Sequence, residues 1–211
     1  MTLVTLILLI ACGALGFYFW KNRVRARRKQ LEAQAPLKSY AKDELRIENV
    51  GPGAVIHLTG IGPDMDEFDL KVIAKHTYRQ GESNWYELEC DKGSENVWID
   101  MEEDDELELA VTLRKLKLRD IGIDKDDLTR MDDDEEGKFE FEGDTYWLED
   151  SDAAVFYRYS DDKNAENFYY WDFEVESGKK SIGVEKWSNG SYDVGYHEAI
   201  KLSQVTIYSL G

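Results

Sequence analysis

From Asp66 onward apolar and polar side chains alternate. Phe68, Leu70, Val72, Ala74, His76 and Tyr78 fall on one face of a two-residue repeat, with Asp69, Lys71, Lys75, Thr77 and Arg79 on the other. A helix would need apolar spacings of three and four, so this stretch is predicted as a strand. After a polar loop at 80–84, Trp85, Glu87 and Glu89 oppose Tyr86, Leu88 and Cys90 in a second strand. A third run covers 97–101. In a fourth, Leu107, Leu109, Val111 and Leu113 alternate with Glu108, Ala110, Thr112 and Arg114, which completes an antiparallel meander.

The pattern restarts at Lys138. Phe139 and Phe141 alternate before a turn at Gly143, and Tyr146 and Leu148 alternate after it. Residues 153–159 echo 72–78, and 168–175 parallel 85–90. Asn189-Gly190, between Trp187 and Tyr192, is the strongest hairpin signal and predicts a type I′ turn. A last strand at 205–208 has no polar tail and is expected to end inside the sheet. The fold expected is mainly β: two related antiparallel meander halves, 45–119 and 138–211, arranged as rolls or a sandwich and forming one soluble unit. Between them, residues 120–137 carry nine acidic side chains and read as a solvated acidic linker. A calcium loop starting at Asp132 fails, because its twelfth position is Gly143 where a bidentate Glu is required.

Residues 1–20 contain no charged side chain, and about 20 residues of helix match the hydrocarbon thickness of a bilayer. A single transmembrane helix is expected there. Phe17, Tyr18, Phe19 and Trp20 end it, and Lys21, Arg23, Arg25, Arg27, Arg28 and Lys29 follow as a headgroup-facing cluster within a basic stalk, 21–44. The basic flank places the C-terminal domain in the cytoplasm, on the inner (plasma) membrane, behind a retained signal anchor. A lipoprotein box at 9–12 competes, but no basic segment precedes the apolar run, and that run continues past Cys12. Cys12, Gly13, Ala14 and Gly16 put small residues on part of the helix, which permits close packing on another helix; lipid exposure of that face is equally compatible.

Charge sharpens this division. The net charge is −18, yet six of the 26 basic residues lie in 21–29, leaving 20 basic against 44 acidic residues, a balance of −24, elsewhere. Such a domain is repelled by phosphates, which argues against nucleic acid as a partner. Two cysteines far apart, Cys12 and Cys90, form no disulfide framework, and Cys90 reads as an ordinary half-buried thiol.

Candidate chemistry is sparse. His57, His76 and His197 lack metal-ligand spacing, and Ser188 belongs to a hairpin turn rather than a nucleophile elbow. Glu87, Glu102 and Glu185 converge only if the halves pair symmetrically; otherwise they occupy a solvated strand face. Trp85, Trp98, Trp171 and Trp187 recur beside acids, and aromatic walls with carboxylates hold organic cations, although core packing explains the same rings. The candidate ligand-binding set is therefore Trp85, Glu87, Trp98, Glu102, Glu185 and Trp187. No metal, cofactor or catalytic residue is assigned, and the chain is read as a non-enzyme.

The phrases VIAKHTYRQGESNWYELEC, VWIDMEEDDELEL, GDTYWLEDSDAAV and IGVEKWSNGSYDVGYHEAI resemble a bacterial domain-of-unknown-function family, number 4178, over most of 45–208. That resemblance implies a β-rich accessory domain, often duplicated, encoded near small membrane proteins and near polyamine aminopropyltransferase-like enzymes. The function expected is a membrane-anchored binding or scaffolding subunit of a membrane-associated complex. Its partners would be the membrane and other membrane subunits or further copies of the chain. The alternatives are a sensor or binder of polyamine or basic peptide, and an enzyme using converging carboxylates.

Overall fold

The computed structural model describes residues 44–103 and 106–211. The expected transmembrane helix, its packing residues Cys12, Gly13 and Gly16, and the cluster Lys21, Arg23, Arg25, Arg27, Arg28 and Lys29 lie outside the described residues. Among the described residues no helix is long and apolar enough to cross a membrane.

The alternating segments form eleven strands: β1 (Val55–Ile61), β2 (Asp66–Gln80), β3 (Ser83–Asp91), β4 (Asn96–Glu103), β5 (Leu107–Leu116), β6 (Lys138–Phe141), β7 (Asp144–Tyr157), β8 (Ala165–Glu174), β9 (Lys180–Trp187), β10 (Tyr192–Ile200) and β11 (Val205–Ser209). The mainly β, antiparallel expectation holds, and each half supplies a four-strand meander. The halves are neither separate rolls nor a simple sandwich. Strand β5 pairs with β10, and β2 pairs with β7 through Thr77–Tyr157, Tyr78–Phe156 and Arg79–Val155. The order β2-β3-β4-β5-β10-β9-β8-β7 therefore closes on itself as an eight-stranded ring. Strand β11 pairs with β1, which makes it an edge strand and not the interior strand expected for 205–208.

Two bulges let one strand serve two layers. Val72 pairs with Cys90 and Ala74 with Glu89, so Ile73 is the extra residue and the facing inverts there. Before the bulge, Leu70 and Val72 enter a core with Ile56, Leu58, Leu88 and Ile99; after it, His76 and Tyr78 face the inside of the ring. The single apolar stripe read from 68–78 is thus divided between two environments. Strand β7 repeats the device between Leu148 and Asp150: Tyr146 lies in an outer core, while Ala154 and Phe156 face inward.

As a result the ring is apolar outside and largely polar inside. Its outer wall in the first half is covered by β1, β11 and the short 3-10 turn Ile47–Asn49. In the second half the cover is β6 together with α1 (Lys125–Asp134), whose Leu128 and Met131 are buried against Phe173, Ile182 and Val184. This helix corrects the expectation of a solvated linker over 120–137. Asp124 caps it, its carboxylate accepting from the Asp126 and Asp127 amides at 2.9 and 3.0 Å, and the acids of the first turn complement the positive end of the helix dipole.

The β9–β10 hairpin forms as expected, but the turn is not type I′. Of Asn189 and Gly190 only Gly190 has positive φ (83°), and its amide donates to Trp187 O at 2.9 Å, which makes Ser188 and Asn189 the central pair. That is a type I turn completed by a glycine in the left-handed region.

Candidate functional site

Strand register decides which side chains face the interior. His76 is paired with Glu87, Glu87 with Asp100, and Trp98 with both Glu89 and Thr112. Thr112 pairs with His197, Asp193 with Glu185, and Gly183 with Asp172. Directly opposed residues on antiparallel strands share a face, so these groups from seven neighbouring strands line one interior. A cavity of about 230 Å³ opens there, lined by Glu87, Trp98, Lys115, Glu185, Trp187 and Asp193 among others.

Of the six residues singled out from the sequence, Glu87, Trp98, Glu185 and Trp187 border this cavity. Trp85 lies beside it, stacked on Tyr78 with ring centres 5.3 Å apart. Glu102 is the register partner of Trp85, on the same face further along β4. One end of the interior is closed by aromatic rings: Tyr78 meets Phe156 at 4.9 Å, and Phe168 stacks on Trp187 at 5.2 Å. The indole N–H of Trp187 donates to Asp193 Oδ2 at 3.0 Å, which fixes that ring against an acid.

The carboxyls carry unusual proton affinities because the ring wall surrounds them. Desolvation, then the charges of Asp100 and Glu185, push Glu87 well above the usual carboxylate range, with Lys115 acting in the opposite sense. Desolvation and the charges of Asp100, Asp193 and Asp172 raise Glu185 to about 8, and desolvation raises Asp172 to about 7. Water still reaches them: Asp172 is exposed by surface area, and Glu87, Asp100 and Glu185 are half-buried. The upward direction therefore rests on enclosure and mutual repulsion together, moderated by solvent in the cavity. Burial, then the charge of Glu87, pushes the Tyr78 hydroxyl well above its ordinary value.

Two histidines are built into this interior, and neither was singled out as a site residue from the sequence. His197 Nδ1 lies 3.1 Å from Asp100 Oδ2 and 3.0 Å from Thr112 Oγ1. Burial alone would lower its pKa, but the Asp100 hydrogen bond and the charges of Asp100, Asp172 and Glu185 raise it overall. Two strand glycines make room for the ring. A Cβ on Gly195 would stand 2.5 Å from His197 Nε2, and one on Gly183 would stand 3.2 Å from the same atom and 3.3 Å from Asp172 Oδ1. An isolated glycine within a strand is the signal that would have located this close approach. His76 is buried; its Nδ1 accepts from the Tyr159 amide at 3.0 Å, which leaves Nε2 to donate to Glu89 Oε2 at 3.4 Å. Tyr159 and Ser160, with φ of 59° and 53°, are held in the left-handed region by that contact and by the Thr77 to Ser160 hydroxyl bond.

His57 lies elsewhere, against Asp69 at 2.8 Å. Cys90 is fully buried rather than half-buried, and desolvation pushes its thiol up to about 12, as an inert core group. Among the described residues no three His, Cys, Asp or Glu side chains are placed to hold a metal ion. Ring faces and carboxyls of raised proton affinity meet in one cavity, a lining whose chemistry suits a positive charge.

In comparison with known protein families, a model described as "Domain of unknown function (DUF4178)" matches residues 64–200, which include every residue of the cavity. No curated protein and no solved structure matches the chain.

Proposed function

The chain belongs to the DUF4178 family of domains of unknown function, and on that premise we propose that its β ring is a binding module for an organic cation, a polyamine or the side chain of a basic peptide. The observation that carries this reading is the meeting of Trp98 and Trp187 with Glu87 and Glu185 around one cavity, two from each half of the chain. Each ring face offers about 0.5–2 kcal/mol to a cation, and hydrogen bonds to an ionised carboxylate add about 1.5–3 kcal/mol. A Kd on the order of 10–100 μM follows for a small amine once ordering costs are set against these gains. Calorimetry with spermidine at physiological salt tests it. Heat is expected to vary with the ionisation enthalpy of the buffer, because carboxyl protons leave as the ammonium enters. No heat above dilution, from the wild type and from a variant lacking the cavity's Lys115 alike, removes the reading.

A second reading, a membrane-anchored scaffolding subunit, rests on the charge-free run 1–20 followed by six basic residues. In this reading Cys12, Gly13 and Gly16 pack on a partner helix, and the acidic domain stands off the cytoplasmic face. The full-length chain is expected to stay with membranes through an alkaline carbonate wash and to resist protease added outside intact cells. Release by the wash argues against the tether, and digestion argues against the orientation.

A further inference from the structure

The cavity already contains an ammonium group. Lys115 projects from β5 beyond the residue at which that strand bulges, so it faces inward opposite Gly195. Its Nζ stands 3.6 Å from the centre of the Trp98 ring, well inside the distance at which a cation is held by an aromatic face. Its charge is also felt at Glu87. Trp187, the corresponding indole from the second half, is contacted by the rings of Phe156 and Phe168 instead. The two indole faces of the cavity thus differ in what they hold, and the first holds a primary ammonium belonging to the chain itself.

We propose that Lys115 is an internal, displaceable ligand: it occupies the Trp98–Glu87 subsite in the empty protein and is expelled when an external ammonium binds. The inference rests on the cation-binding reading and adds to it a regulatory contact and a ligand class. The class is an alkylammonium, because a four-carbon chain ending in –NH3+ already fits that face. Three features make displacement feasible. Lys115 is exposed, so its head group can swing into water. Among the described residues it has no carboxylate partner at ion-pair distance, so the ring and the field of Glu87 hold it. A cation on an exposed ring is worth only about 0.5–1 kcal/mol. Tethering still gives it a high effective concentration, so a ligand must gain from Glu185, Asp193 and Trp187 what it loses in competition.

Calorimetry with spermidine, on the full chain and three variants, tests this. Lys115→Met vacates the face while keeping an apolar stem; Lys115→Arg keeps a cation there; Lys186→Met removes one positive charge from the exposed face of β9. Circular dichroism and a melting curve establish that each is folded. The expected result is about three- to tenfold tighter binding by Lys115→Met, with the other two within about twofold of wild type. Binding by Lys115→Met when wild type is silent supports the inference equally. Equal gains in Lys115→Met and Lys186→Met would show that net field alone is responsible and overturn it, as would unchanged or weaker binding by Lys115→Met when wild type binds. If no variant and no wild-type protein binds spermidine, the cation-binding reading falls and the inference falls with it.

Discussion

Replacing Phe156 with alanine is expected to destabilise the domain by about 3–5 kcal/mol, the usual cost of deleting a buried aromatic ring. Phe156 is 4% exposed and packs on Tyr78, His76 and Trp187 with ring centres at 4.9, 5.2 and 5.4 Å. Its position makes the loss specific. The β2–β7 seam that closes the ring has only three residue pairs, against nine between β2 and β3, and Tyr78–Phe156 is the middle one. Without that ring the seam keeps its backbone bonds and flanking polar contacts such as Thr77–Ser160 but loses its central packing. Urea denaturation gives the magnitude, and amide exchange gives the location: protection at Thr77–Arg79 should fall further than in β3 and β4. A loss below about 1 kcal/mol, or protection reduced evenly over all strands, would mean that the seam does not behave as a cooperative closure.

How much of this was legible beforehand depends on what a period of two can express. Alternation separates Trp85 and Glu87 from Tyr86 and Leu88, so the residues now found around the cavity were already placed on one face. It does not say which face meets water. In this protein the acid-bearing face of β3, β4 and β9 turns inward and the aliphatic face packs under outer covers, so a solvated face and an enclosed one look alike in sequence. Closure of the ring depends on partners 75–90 residues apart, such as Tyr78 with Phe156 and Thr112 with His197, and local pattern carries no information about them. The bulge at Ile73 was invisible for a related reason: it preserves a continuous run of buried alternate positions while inverting the direction in which they point.

The helix at Lys125–Asp134 was missed because its acids dominate the composition and only two side chains, Leu128 and Met131, reach the core. Their spacing of three, behind an aspartate that could cap, was present in the sequence. So were Gly183 and Gly195, each standing alone in a strand. What hid Asp100, Asp172 and His197 was the absence of sequence proximity: they come from β4, β8 and β10, and only the ring brings them together.

Between about pH 4.5 and 8 the domain is expected to lose stability as pH rises, and Glu185→Gln should remove much of that dependence. In the unfolded chain Glu185 releases its proton near 4.5, whereas in the folded protein it holds it to about 8. Between these values the folded state binds more protons than the unfolded one, so stability declines with rising pH; the penalty is absent below the lower value and complete above the higher. Glu87 and Asp172, also raised, act in the same sense. So does His197, whose raised pKa gives stability at low pH that disappears as the ring deprotonates. His76, with its pKa lowered by burial, works in the opposite direction but below its ordinary 6.5, and the lowered carboxyls Glu48, Glu142 and Asp152 act at still lower pH. At about 1.4 kcal/mol per pH unit the Glu185 displacement alone would exceed 4 kcal/mol, and solvent in the cavity reduces this to on the order of 2 kcal/mol. Urea midpoints measured across this range should therefore fall steeply for wild type and shallowly for Glu185→Gln, which gains stability at pH 9. The same substitution removes a charge that a bound ammonium needs, so spermidine affinity should drop by about tenfold or more. A variant that is more stable at high pH and yet binds less would tie the strained acid to the ligand. Parallel midpoint curves for the two proteins would mean that Glu185 titrates as an ordinary surface carboxylate, and the enclosed acidic interior would lose its chemical significance.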